Sequence, residues 1–248
     1  ASKVVIEYHK DKLIFYHNGD PFDEDDVRGV SSMLMGTKDK NSGQSIGRFG
    51  MGFKSVFKYT YQPEIYSDNE AFRIENYLLP VEITENGFSP DAEKNALNER
   101  MKGNGGFVPF SESDHITKIV IPFQKKDEDG KLYDVPGKDV LEKLNSLNGE
   151  ILLFLTHIRN LFWIDMGTRH HAMITLKEQE DDERLVACRI VGTGYGAKDE
   201  VSRYLKFKST FDHPKMSDAE VSVAYRLNNR GDNINEMKDT AIWVYFPT

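Results

Sequence analysis

Short runs of β-branched and aromatic residues alternate with polar positions from the start of the chain. Val4 to Tyr8 and Leu13 to Tyr16 are two such runs, separated by His9-Lys10-Asp11-Lys12, a spacing that predicts a β-hairpin. Asn18-Gly19-Asp20-Pro21 supplies the turn chemistry that stops the second strand. Asp23 to Asp26 then place carboxylates where a helix's first turn favours them, and Val27, Val30 and Leu34 give that helix an apolar stripe ending near Gly36. Thr37 to Ser45 is polar and aperiodic, which predicts a loop. After it, Phe49, Phe53, Val56 and Phe57 recur at i, i+4, i+7 and i+8, the spacing of one helical face.

Further along, Ile65 to Ser67, Ala71 to Ile74 and Tyr77 to Ile83 read as short strands, Thr84 to Ser113 as a polar loop, and Ile116 to Phe123 as a central strand. Gln124 to Lys131 is a charged turn or linker. Val140, Leu141, Leu144 and Leu147 form a helical face, and Ile151 to Ile158 is expected to continue as a second, more buried helix. Strand patterns then follow one another: Leu161 to Ile164, Ala172 to Leu176, Leu185 to Val191, Tyr204 to Phe207, Val221 to Leu227 and Ala241 to Phe246. This pattern predicts an α+β chain. Residues 1–130 are expected to form an α/β sandwich, its mixed, mostly antiparallel sheet covered on one face by the helices beginning near Asp23 and Gly50. Residues 131–248 are expected to form a helix pair and an antiparallel β-rich segment.

At 248 residues, 39% hydrophobic and 29% charged, the chain is long and apolar enough to build its own core. Its 32 Lys and Arg against 40 Asp and Glu give a net charge of −8, and no basic cluster stands out, which argues against coating nucleic acid. Cys188 is the single cysteine, which excludes an internal disulfide framework and thiolate-rich zinc sites and suits a reducing, cytoplasmic compartment. The longest apolar run, Ile151 to Leu155, is far short of the ~18 residues a membrane helix needs. No signal peptide is visible, and the first residues read directly as a strand, as expected for a piece of a larger intracellular protein.

The segment richest in chemistry is Ile46-Gly47-Arg48-Phe49-Gly50-Met51-Gly52-Phe53-Lys54-Ser55-Val56-Phe57. Glycines leading into an amphipathic helix let a ligand approach the backbone closely, and the first-turn amides have no intrahelical partners, so the pattern suits an anion. The Gly-Lys-Ser/Thr ending of a Walker loop is absent. A dinucleotide fingerprint would follow a strand, whereas this run follows a polar loop.

Gly47 to Phe53 resembles the second glycine box of the GHKL ATPases, the superfamily of gyrase, the ninety-kilodalton heat-shock chaperones and the histidine kinases. Lys54-Ser55-Val56-Phe57 brings the resemblance closest to the sacsin and NO VEIN branch. Asn18-Gly19-Asp20-Pro21-Phe22 is similar to that branch's first glycine box, Asp114 to Val120 to its late threonine strand, and Leu152 to Leu155 with Ile158-Arg159 and Val244 to Thr248 to its later segments. The resemblance implies the GHKL type of α/β sandwich. It also implies ATP with its phosphates at the amides of Gly50, Met51, Gly52 and Phe53, in a box that includes Gly47, Phe49 and Lys54. Thr37 and Lys38 would belong to a lid, Gly19 would pass under the base, and Thr117 would offer its hydroxyl near it.

Two departures are visible. His17, beside Asn18, stands where most of the superfamily has an aspartate that accepts from the adenine amine, and Ile116 precedes Thr117 where a glycine is usual. The helix that carries the magnesium-ligating asparagine and the water-activating carboxylate would precede Ala1. The resemblance therefore implies ATP binding here, Mg2+ and hydrolysis in the longer parent, and lid closure that changes how neighbouring domains, or a second copy, dock. The alternative is a protein-interaction module that keeps the fold without using nucleotide. A histidine kinase is disfavoured by the long β-rich tail.

The remaining segments read more simply. Gly192 to Gly196 lies between strand patterns with no helix following, as a flexible connection would. His170 and His171 are adjacent and face opposite sides of a strand, a poor arrangement for a metal, and no metal site is expected. His115 and His157 have no recognisable serine or cysteine partner. Asp181-Asp182-Glu183 suits a solvated hairpin tip.

Overall fold

The computed structural model describes residues 2–31, 51–68, 70–84, 87–155, 157–193, 199–213, 216–231 and 233–235. The alternating runs at the start form β1 (Lys3–Tyr8) and β2 (Lys12–His17), paired antiparallel with Val4 opposite His17. Helix α1 (Glu24–Ser31) follows. It carries Glu24, Asp25 and Asp26 in its first turn, and Asp23 accepts the Asp26 amide proton at 2.8 Å. Met51–Lys54 is the short helix α2, continued as a 3-10 turn over Ser55–Lys58. Three strands come next: β3 (Glu64–Ser67), β4 (Glu70–Glu75) and β5 (Leu79–Glu82).

The stretch expected as loop from Thr84 to Ser113 contains α3 (Pro90–Met101). It then leads to β6 (Thr117–Pro122), the small pair β7 (Gln124–Lys126) and β8 (Leu132–Asp134), and helix α4 (Lys138–Ser146). The described residues of Ile151 to Ile158 do not form an α-helix: Gly149–Leu152 is one 3-10 turn, and those described beyond it are turn, bend and irregular chain. An unbroken apolar run carries no period, so burial at consecutive positions, Leu152 and Leu153, satisfied it without a helix. The chain ends in long strands: β9 (Asn160–Asp165), β10 (His171–Gln179), β11 (Asp182–Thr193), β12 (Glu200–His213) and β13 (Met216–Arg226).

Among the described residues eleven of these strands make one sheet, in the order β13-β12-β11-β10-β9-β1-β2-β6-β3-β4-β5. The single parallel pairing is β1 with β9, Lys3 opposite Asn160; every other neighbour is antiparallel. The sheet is therefore mixed and mostly antiparallel, and strands from either side of Lys131 lie next to each other in it.

The two faces follow from strand alternation. Ile6, Leu13, Ile121, Leu161 and Trp163 point to one face, under Val140 and Leu144 of α4. On the same face, Ile65, Phe72, Ile74 and Ile119 meet Val27 and Val30 of α1 and Phe53 of α2. Val5, Ile14, Val120, Phe162 and Ile164 point the other way, where Leu97 and Met101 of α3 cover them. Both helices expected over one face thus lie there, and α3 adds a cover to the opposite face.

Candidate functional site

β2, β6 and β3 are neighbours whose register places His17 opposite Thr117 and Thr117 opposite Ser67. Residues directly opposite share a face, so the three side chains form a row across the end of the sheet, on the face that α1 and α2 cover. The next residues inward on that face, Phe15, Ile119 and Ile65, belong to the apolar core. Polar groups thus terminate an apolar surface.

Within the row, Ser67 Oγ and Thr117 Oγ1 lie 2.6 Å apart, and neither residue exposes surface. Ser67 Oγ also accepts from the Phe22 amide at 3.0 Å, which ties the chain entering α1 to β3. Two hydroxyls sharing one bond leave one hydroxyl proton unused, whichever of them donates. At the other end of the row, His17 Nδ1 accepts from the Gly19 amide at 3.1 Å. That nitrogen carries no proton, so the neutral ring carries its proton on Nε2. Burial favours the same form, pushing the imidazole down to about 4.

Asn18 is turned to structural use. Its Oδ1 accepts from the amides of Ser2 and Lys3, each at 2.8 Å, and its Nδ2 donates to Asp114 Oδ1 at 2.9 Å. Asp114 also pairs with Lys3 at 2.7 Å and accepts the Ser111 amide proton. Burial alone would raise its carboxyl, but Lys3, Asn18 and Ser111 hold it well below the usual carboxylate range. This clamp fixes the start of β1 and the turn that carries buried Gly19.

Of the glycine box, Gly47, Phe49 and Gly50 lie outside the described residues, as do Thr37 and Lys38. Met51, Gly52, Phe53 and Lys54 are α2. Gly52 is exposed, and a Cβ built on it would meet nothing within 4 Å among the described residues, so their packing does not require glycine there. Phe53 packs against the core. Lys54 donates to the carbonyls of Val30 at 2.7 Å and Tyr77 at 2.6 Å, and burial lowers the ammonium below its ordinary value. Ser67 is the residue of this row that sequence reasoning missed. It lies 50 positions from Thr117, and nothing local to it announces the pairing.

The described residues contain no group of three His, Cys, Asp or Glu placed to hold a metal. They also contain no helix long and apolar enough to cross a membrane, which says nothing of strands.

A family model described as the Sacsin domain matches residues 2–177. Sacsin of Homo sapiens is 27% identical over 158 residues, 58% of this chain, and Protein NO VEIN of Arabidopsis thaliana is 21% identical over 225 residues, 88% of this chain. The alignments span only 3% and 8% of those two proteins. Among solved structures, the B-subunit of DNA gyrase from Myxococcus xanthus aligns with a TM-score of 0.36 at 11% identity, over 81% of this chain and 57% of that one.

Proposed function

We propose that this chain, which belongs to the sacsin domain family, is a nucleotide-binding module that takes ATP between the row His17-Thr117-Ser67 and the glycine box. The observation that carries the reading is the fully buried Ser67–Thr117 hydroxyl pair at the end of three strands, next to an imidazole and under the helix that the glycine box enters. Small sets of polar groups converging on an apolar surface are how proteins orient the edge of a largely apolar ligand. Buried hydroxyls in such a place have a use when a polar ring edge meets them.

In this reading the base lies against Thr117 and Ser67, with the Gly19 backbone passing close beneath it. The phosphates lie at the amides of Gly50, Met51, Gly52 and Phe53. Gly47 and Phe49 complete the box, and Thr37 and Lys38 belong to the segment that would close over the ligand. Lys54 supports the site from behind, through Val30 and Tyr77. Asn18 holds the turn of Gly19 in place.

Binding is proposed for this chain, and Mg2+ and hydrolysis for the longer protein, in which one or two side chains and the nucleotide's own phosphates would hold the ion. The partners proposed are ATP and the adjoining segments or second copies whose docking nucleotide occupancy would change.

Thermal unfolding with and without ATP tests the reading. Ligand that binds only the folded state raises the midpoint as its concentration passes the dissociation constant. Thr117→Val, which keeps the shape and removes the hydroxyl, is expected to abolish the ATP-dependent rise. A midpoint indifferent to millimolar ATP in the unaltered chain would favour the interaction module instead.

A further inference from the structure

We infer that one face of β10 to β13 is a docking surface for an acidic polypeptide segment, whose carboxylates enter a cation-lined hollow while its apolar side chains lie on the strip beside it. This face is opposite to the one that carries His17, Thr117 and Ser67, and the reading needs no nucleotide.

Register and alternation decide which side chains share the face. Met173 of β10 packs with Leu97 and Met101 of α3, and Lys177, four residues on, points the same way. Val186, Cys188 and Tyr204 belong to the core under α4, so Leu185, Ala187, Arg203 and Leu205 point away from it. Lys177 stands opposite Ala187 and Ala187 opposite Arg203, which sets two cations on either side of a methyl group. The Leu227 amide donates to the Arg203 carbonyl, and the turn that follows lies against this arginine, whose Nη1 donates to the Asn229 carbonyl at 3.2 Å. Arg230 is the next residue of the turn. A cavity of about 330 Å³ lies here, lined by apolar Leu185, Ala187 and Leu227 and by the cations Lys177, Arg203 and Arg230.

The charge in this hollow is one-sided. Among the described residues the Lys177 ammonium and the Arg230 guanidinium have no hydrogen bond or ion pair, and Arg203 uses one N–H on Asn229. Glu178, the single carboxylate among the lining residues, is held by Arg159 at 3.1 Å. The whole chain carries −8, but at physiological salt exposed charges beyond about 8 Å are screened, so the three cations set the local field.

Beside the hollow the same face is apolar. Leu205 stands opposite Tyr225, Phe207 opposite Val223 and Ser209 opposite Val221. Phe207 is 41% exposed, Val223 43%, Tyr225 45% and Val221 49%, and the rings of Phe207 and Tyr225 meet edge-on at 6.1 Å. Scattered exposed apolar residues mean little, whereas a contiguous strip marks a surface that another chain covers.

An extended segment with acidic residues next to apolar ones matches both halves of this surface. Lys177 and Arg203 stand two strand spacings apart, roughly 9.6 Å, which suits single charges spread along a peptide better than one compact phosphate. Single-stranded nucleic acid also uses cations and aromatic rings, but its regular phosphates would run on over Phe207, Val221 and Val223, apolar side chains rather than cations.

Fluorescence anisotropy of a labelled peptide of alternating Asp and Glu followed by Leu-Phe-Val-Leu, titrated with the full chain, tests this. Saturable binding is expected at physiological salt, weakening as salt rises. A counterpart with Lys at every acidic position should bind at least about tenfold more weakly. Lys177→Glu combined with Arg230→Glu reverses two charges that pair with nothing among the described residues, so the variant should melt as the unaltered chain does. Its affinity for the acidic peptide should fall by at least about tenfold. Val223→Ser should weaken binding by about threefold through lost apolar contact.

Equal affinity for the acidic and basic peptides, an affinity that the charge-reversed variant keeps, or no saturable binding of the acidic peptide would overturn the proposal. Tighter binding of an oligothymidylate than of the acidic peptide, lost in the same variant, would assign the face to single-stranded nucleic acid and overturn it as well.

Discussion

Lys54 Nζ lies 2.7 Å from the carbonyl oxygen of Val30, so the helix of the glycine box holds the last turn of α1 by a charge-assisted hydrogen bond. The same ammonium reaches the Tyr77 carbonyl at 2.6 Å, in the turn between β4 and β5. Tyr77 sits there at φ 69°, a left-handed conformation that costs a bulky residue energy, and its ring lies 4.7 Å from that of Phe57. One lysine thus joins three segments around the proposed phosphate end. Lys54→Met keeps the stem and removes the donors, leaving two carbonyls short of a partner. The expected cost is about 1–3 kcal/mol in urea unfolding, and a midpoint equal to that of the unaltered chain would show the contacts to be idle.

On the opposite face, Glu7 is 1% exposed and receives Arg100 Nε at 2.7 Å and His9 Nε2 at 3.2 Å. Burial opposes its charge, but His9 and Arg100 hold the carboxyl below its ordinary value. Arg100 also donates to Tyr16, whose hydroxyl donates to Glu93. Removing one partner of a buried pair strands the other charge, so Arg100→Met is expected to cost about 3–5 kcal/mol at neutral pH. Because the folded carboxyl titrates below its unfolded value, its contribution is present above about pH 4.5 and lost as pH falls further. The difference between Arg100→Met and the unaltered chain should therefore shrink in acid, and a difference constant from pH 7 to 3 would contradict this account.

His17 gives a second pH dependence of separate origin. Its folded value near 4 lies below the ordinary 6.5, so the unfolded chain binds the extra proton between them. Stability from this residue is complete above about pH 6.5 and falls as pH drops toward 4. Protonation of Nδ1 would also break the bond from the Gly19 amide. His17→Asn should flatten the stability profile between those limits. A variant with an unchanged slope would show that other groups set it.

Gly137 reports on how α4 docks. A Cβ there would overlap the ring of Phe123, which is buried in the core. Gly137→Ala must displace the ring or the helix, and an overpacking cost of about 1–3 kcal/mol is expected by chemical denaturation. A neutral substitution would mean that α4 sits less tightly on the sheet than the described contacts require.

Much of this architecture was legible because strand alternation and helical spacing are local properties. β1, β2, β6 and β9 follow from alternation, and Phe53, Val56 and Phe57 pack on one face as their spacing implied. α3 was not legible as a stripe because Lys94 takes one of its inward positions, with Leu97 and Met101. Its ammonium is satisfied by the carbonyls of Glu112 and Asp114, a compensation no pattern displays. Ser89-Pro90-Asp91 with Glu93 was the available signal, a proline at the helix start with acidic residues in the first turn. The parallel pairing of β1 with β9 and the meeting of Ser67 with Thr117 depend on register between distant segments. Sequence offered Thr117 and His17 singly, and only the sheet sets them beside each other and Ser67.

The central claim is that nucleotide occupies the space between this row and the glycine box, and isothermal titration of the chain with ATP, beside Gly52→Val, tests it most directly. A Cβ added at Gly52 meets no atom of the described residues within 4 Å, so the variant is expected to fold and melt as the unaltered chain does, while its branches fill the space assigned to phosphate. The account predicts saturable heat for the unaltered chain and binding at least about tenfold weaker, a loss of about 1.4 kcal/mol or more, for the variant. Equal affinities in two chains of equal stability would contradict it.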